Sequence, residues 1–192
     1  KPSVGFNLKW KYFLAEPNTL TIHAGTWGPD WIAVRASDSY QLNKLQALAL
    51  EGSVVNRKDL PFYGMGPRSP STPRYRYQAL TTDLAVAYRA DPWRSSSLVA
   101  RAGMRSLSFG DGTCCAARSV YDAVGSGDLP PPPGLGDDYL ATFQGVGAAL
   151  DSRRARPYSG TGVRFDARGE MVEAPARGGS PRRAWATYGG TA

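Results

Sequence analysis

The sequence predicts an α+β fold: a small antiparallel sheet near the N-terminus, two to four helices, and long extensions rich in proline and glycine. Three observations predict it. Apolar and polar residues alternate over 8–36, the period of strands with one buried face. Apolar residues recur at helical spacing over 40–52 and again over 114–125, and 137–157 carries acidic residues at its start and arginines at its end. The chain carries 22 Gly and 15 Pro, concentrated in stretches that cannot form a core.

The elements follow in order. "LKWKYFLA" (8–15) reads as a strand, Pro17-Asn18 as a turn, and "TLTIHAG" (19–25) as its partner. The Gly28-Pro29-Asp30 turn leads to "WIAVRA" (31–36), which completes a meander. Ser37 or Asp38 is then placed to cap a helix over 40–52, with Leu42, Leu45, Leu48 and Ala49 on one side and Gly52 at its end. Residues 1–60 thus form a β-meander plus a helix, and 61–82 an extended Pro/Gly-rich segment.

Residues 83–174 read as an α+β part. A strand over 83–90 precedes a short helix capped by Ser95–Ser97 and closed by Gly103. "CCAARSVYDAVG" (114–125) has helical spacing, and "GSGDLPPPPGLGDD" (125–138) is a polyproline linker. The segment 137–157 predicts the strongest helix, opened by Asp137-Asp138 and closed by Arg153, Arg154 and Arg156 before Pro157. "VRFDARGEMVEA" (163–174) reads as a hairpin turning at Ala-Arg-Gly. Residues 175–192 form an extended basic tail.

The net charge is +7, and all but five of the 23 basic residues are arginine. Such a surface gathers anionic neighbours, and a GC-rich coding bias also produces it. The longest apolar runs, such as Leu45–Leu50, fall far short of the ~20 residues that a membrane-spanning helix needs. The expectation is a soluble or peripheral chain with no membrane span, placed inside the cell in an organelle or particle. The chain starts at Lys1 rather than Met, which points to processing upstream. Cys114 and Cys115 are the only cysteines, and their adjacency predicts small buried thiols in a reducing compartment.

Catalytic and metal-binding machinery is thin. His23 is the one histidine and sits mid-strand, so no zinc site or Ser-His-Asp constellation is expected, nor any cofactor. Capping explains Asp137-Asp138, while Glu170 and Glu173, three apart on one strand, face opposite sides. Tyr88-Arg89-Ala90-Asp91, followed by Arg94, Gly103 and Gly110, resembles the start of the catalytic domain in bacterial ADP-ribosyltransferase toxins of the cholera and pertussis type. "YLATFQGVGAAL" (139–150) resembles their Gln-x-Glu segment. The resemblance implies that Arg89 binds NAD and that Gln144 lies near the acceptor. Where the family places its catalytic glutamate, this chain has Val146. The structural reading of Arg89 and Asp91 is an ion pair at a strand end.

Taken together, the residues predict a non-catalytic structural or accessory subunit of a larger assembly, such as an organellar complex, a ribosome-like particle or a viral shell. Arg74, Tyr75, Arg76 and Tyr77, with Arg182, Arg183, Trp185 and Tyr188, are the expected anchors for other protein chains. Their alternation of arginine with aromatic rings also suits RNA or DNA. The alternative is an NAD-binding, ADP-ribosyltransferase-like domain without its glutamate.

Overall fold

The computed structural model describes residues 3–64, 75–93, 95–114, 117–132, 134–152, 162–175 and 182–191. Nine strands dominate them: β1 (Val4–Lys11), β2 (Asn18–Thr26), β3 (Trp31–Asn43), β4 (Gln46–Phe62), β5 (Tyr75–Ala90), β6 (Ser97–Asp111), β7 (Tyr139–Asp151), β8 (Arg164–Ala174) and β9 (Arg183–Thr191). They form one sheet in sequence order, each antiparallel to the next. A single short helix, α1 (Val120–Gly125), lies between β6 and β7.

The fold is therefore all-β, and the α+β expectation is wrong. The N-terminal meander is present, in β1 to β3. The helix expected over 40–52 is instead the hairpin between β3 and β4. Asn43 turns it: its side-chain oxygen accepts from the Leu45 amide at 2.9 Å, and its Nδ2 donates to Gln46 Oε1 at 3.0 Å. Leu42, Leu45 and Leu48 matched a helical period only because that turn falls between them. The expected helix over 137–157 is β7 in its described part, and the one after Ser97 is β6. Gly145 and Gly147, poor helix formers, sit mid-β7. The hairpin expected over 163–174 is the single strand β8.

The expected helix over 114–125 is represented, among the described residues, by α1. Ser119 caps it, accepting from the Tyr121 amide and donating to Asp111 Oδ1 at 2.9 Å. Arg118 and Ser126 hydrogen-bond Asp128, and the Arg118 hydrogen bond chiefly holds that carboxyl below its usual pKa. Cys114 is disulfide-bonded rather than a free thiol; Cys115, the chain's only other cysteine, lies outside the described residues.

A one-layer sheet has no second layer to bury a face against. The central cluster is accordingly small: Ala85, Ala141, Phe143, Val172 and Ala174, with Tyr139 and Trp185 packed beside it. The exposed area is 12916 Å² for a 20.6 kDa chain. A self-sufficient monomer of that mass exposes about 8,900 Å² by the usual size scaling.

Candidate functional site

The two faces of the sheet are chemically opposite, and register assigns each residue to one of them. One face carries Phe6, Leu8, Ile22, Val34, Leu50, Val54, Leu84, Val86, Met104, Val146 and Met171. Most of these side chains are exposed, Leu84 at 55% and Val146 at 68%. We call this the outer face. Tyr40, Leu48, Tyr88, Ala100, Val146, Gly169 and Tyr188 form one continuous register row across seven strands, so three tyrosines stand at the same level of it. Trp10 lies one row below, paired with Leu20, which pairs with Asp38. Along the regular register the charged residues of this face are Asp38, Arg76 and Glu173. Arg76 and Glu173 stand at the end away from the tyrosines, where Arg182 Nη2 reaches Glu173 Oε2 at 2.8 Å.

The other face gathers the charge. Lys9, Lys11, Arg35, Arg57, Arg89, Arg101, Arg105 and Arg168 lie on it with Glu51, Asp83, Asp166 and Glu170. At its centre Arg105 stands opposite Asp83 across β5 and β6. Its Nε and Nη2 donate to the two Asp83 oxygens at 2.9 and 3.2 Å, a bidentate pair. Its Nη1 donates to Glu170 Oε1 at 2.8 Å, across β7. Arg101 Nη2 reaches Glu51 Oε2 at 3.5 Å, across β5. Both guanidinium groups stack over the Phe143 ring, 5.2 and 4.8 Å from its centroid.

Contacts that skip a strand require small residues beneath them, and Ala85, Ala87, Ala141 and Gly145 occupy those inner positions. Beside the network, Thr21, His23, Arg35, Ser37, Glu51, Ser53, Asp83 and Arg101 line a hollow of about 410 Å³. Its lining is fit to hold water, not to pack as a core.

The residues predicted from sequence fall into different places. Arg89 donates to Asp91 Oδ1 at 2.8 Å and is 59% exposed, so the strand-end ion pair is present. Arg89 lies on the inner face, whereas Gln144 and Val146 lie on the outer one, so they are not brought together. Asp137 and Asp138 cap no helix: Asp137 pairs with Arg183 at 2.6 Å, and Asp138 Oδ1 accepts from the Phe109 amide. Glu170 and Glu173 do occupy opposite faces of β8.

Tyr75, Arg76 and Tyr77 open β5. Tyr77 packs near Phe109, and Arg76 Nη1 donates to the Asp59 carbonyl. Arg74 lies outside the described residues. Arg183, Trp185 and Tyr188 belong to β9; Trp185 meets Tyr139 edge-on at 5.6 Å, and Tyr188 is 92% exposed. The Arg105 network escaped sequence reasoning; alternation in "LVARAGMR" places Arg101 and Arg105 on one face but says nothing of their distant partners.

Among the described residues no group of three His, Cys, Asp or Glu is placed to hold a metal ion, and no helix is long and apolar enough to cross a membrane. Comparison with protein-family models, with curated proteins and with solved structures gives no match in any of the three.

Proposed function

We propose that this chain is a wall segment of a transmembrane β-barrel, with the apolar outer face in contact with lipid and the charged inner face lining an aqueous interior. The single observation that carries the reading is the inversion of a soluble fold: apolar residues along one face of the sheet, exposed on every strand but β2, and arginine–carboxylate networks on the other. Soluble monomers rarely expose an apolar patch of more than a few hundred Å².

Dimensions agree. A strand crosses a bilayer with roughly 9–11 residues, so the shortness of the apolar runs rules out a helix only. From Leu80 to Tyr88, β5 presents apolar or hydroxyl side chains outward over about 27 Å at ~3.3 Å per residue. At the ~40° tilt of strands in outer-membrane barrels this stretch rises about 20 Å, most of their ~25 Å apolar band, and the tyrosine row corresponds to an interfacial aromatic girdle.

The connections are also unequal at the two ends. Residues 12–17, 44–45, 91–96 and 152–163 join strands at one end; 27–30, 63–74, 112–138 and 175–182 join them at the other. Barrels of this class pair short turns on one side with longer loops on the other. The bonded state of Cys114 suits an oxidising compartment. The assembly-subunit reading keeps one element, namely that other molecules cover most of this surface, and lipid supplies the cover here.

Refolding from urea into phosphatidylcholine vesicles tests the reading. The protein is expected to float with the vesicles, show β-sheet circular dichroism, and have its tryptophan fluorescence quenched by brominated acyl chains. A stable, monomeric protein left in the aqueous fraction would overturn it.

A further inference from the structure

The two edges of the sheet, β1 and β9, are constrained by their direction. Every neighbouring pair is antiparallel, so the odd-numbered strands share one direction and β1 runs parallel to β9. No pairing joins these two among the described residues. Each edge therefore presents unpaired backbone N–H and C=O groups, which hydrocarbon does not tolerate. The outer side chains nonetheless remain apolar up to the β1 edge, where Phe6 and Leu8 are exposed.

We infer, on the membrane-wall reading above, that both edges are covered by one further set of amphipathic strands, odd in number and antiparallel to β1 and β9. Direct closure would place a parallel pair in an otherwise antiparallel wall, with slanted and slightly weaker hydrogen bonds. A second copy does not solve the problem. Two copies inserted with the same sidedness present all four edges running one way, so any pair between them is again parallel. An odd number of added strands makes every pair antiparallel and the total even, the pattern of bacterial single-chain barrels.

The strand against β1 is also chemically specified. It carries apolar side chains outward beside Phe6 and Leu8. Inward it carries acceptors (Asp, Glu, Ser or Thr) beside Lys9 and Lys11, whose known neighbours Thr21 and Thr19 supply hydroxyls only.

Amide hydrogen exchange of the chain refolded in dodecylmaltoside micelles tests this, with a synthetic peptide of the β2 sequence, residues 18–26, as the probe strand. Without peptide, β1 and β9 are expected to exchange at least tenfold faster than β5, and the double variant Asn7→Cys/Thr187→Cys is expected to form no intramolecular disulfide. The peptide is expected to slow β1 exchange at least tenfold, while a scrambled version does not. Three results would overturn the inference. The first is efficient Asn7→Cys/Thr187→Cys bonding with both edges as protected as β5. The second is a dimer whose edges are protected without peptide. The third is open edges that the peptide fails to protect. Failure of the membrane reading itself is distinguishable, because the chain would then remain in the aqueous phase in the flotation assay.

Discussion

Arg105 and Arg89 occupy the same face of the sheet in different surroundings, and the contrast is informative. Arg105 is about one-fifth exposed and satisfies two carboxylates, Asp83 and Glu170, which are similarly shielded. Replacing it with alanine leaves both anions without their cation. The expected loss is about 1.5–3 kcal/mol, the range for hydrogen bonds to charged groups. Arg89→Ala removes an exposed pair and is expected to cost under about 1 kcal/mol. Denaturant unfolding of both variants in micelles checks the order; equal losses would mean that the central network has no special weight. Gly103 poses a different limit. A Cβ there would stand 2.1 Å from the Leu84 carbonyl oxygen and 2.7 Å from Ala85 Cα, both fixed in β5. Gly103→Ala is expected to destabilise by about 1–3 kcal/mol, as overpacking does, or to prevent refolding. Restoration of full stability by such a variant would show that β5 and β6 separate easily.

At the scale of the strand, the two faces answer the same substitution differently. Leu84 points outward from the middle of β5, and Thr81, three residues earlier, points inward. Leu84→Arg is expected to cost about 2–4 kcal/mol in a bilayer, as a cation on the lipid face near the midplane does. Thr81→Arg stands on the inner, polar face two residues from Asp83 and is expected to cost under about 1 kcal/mol. Unfolding titrations in vesicles compare them, and equal costs would contradict the assignment of faces. Strand character was legible where inner and outer residues differ in polarity, as in β2 and the start of β3. It was hidden in β4 and β7, where alanine and glycine occupy inner positions. Hydropathy then sees apolar residues on both faces, the two-residue period fades, and a helical spacing emerges by coincidence.

For the molecule as a whole, the excess exposed area and the single-layer architecture lead to one expectation. Transferred from urea into detergent-free buffer, the chain is expected to associate into large particles, because none of its described elements covers the outer face. Above the critical micelle concentration it is expected to remain dispersed with the same β-sheet signal. Light scattering beside circular dichroism makes the comparison, and a monodisperse monomer in plain buffer would contradict it. The same architecture explains why the Arg105 network was not legible. Asp83, Arg105 and Glu170 are far apart in sequence, and only the successive pairing of β5, β6, β7 and β8 brings both carboxylates within 3 Å of the guanidinium.

By itself the sequence determined the turns before β2 and at Gly28–Asp30, the N-terminal meander and the Arg89–Asp91 pair. All of these depend on residues close together along the chain, where local conformational preference and short-range hydrogen bonding decide. Only the tertiary structure decided that the remaining segments are strands, which face each side chain takes, and that charge is gathered on the inner face. Those outcomes depend on pairing between distant segments and on which face meets water. A glycine or alanine in one strand acquires its meaning only from the arginine that a neighbouring strand lays across it.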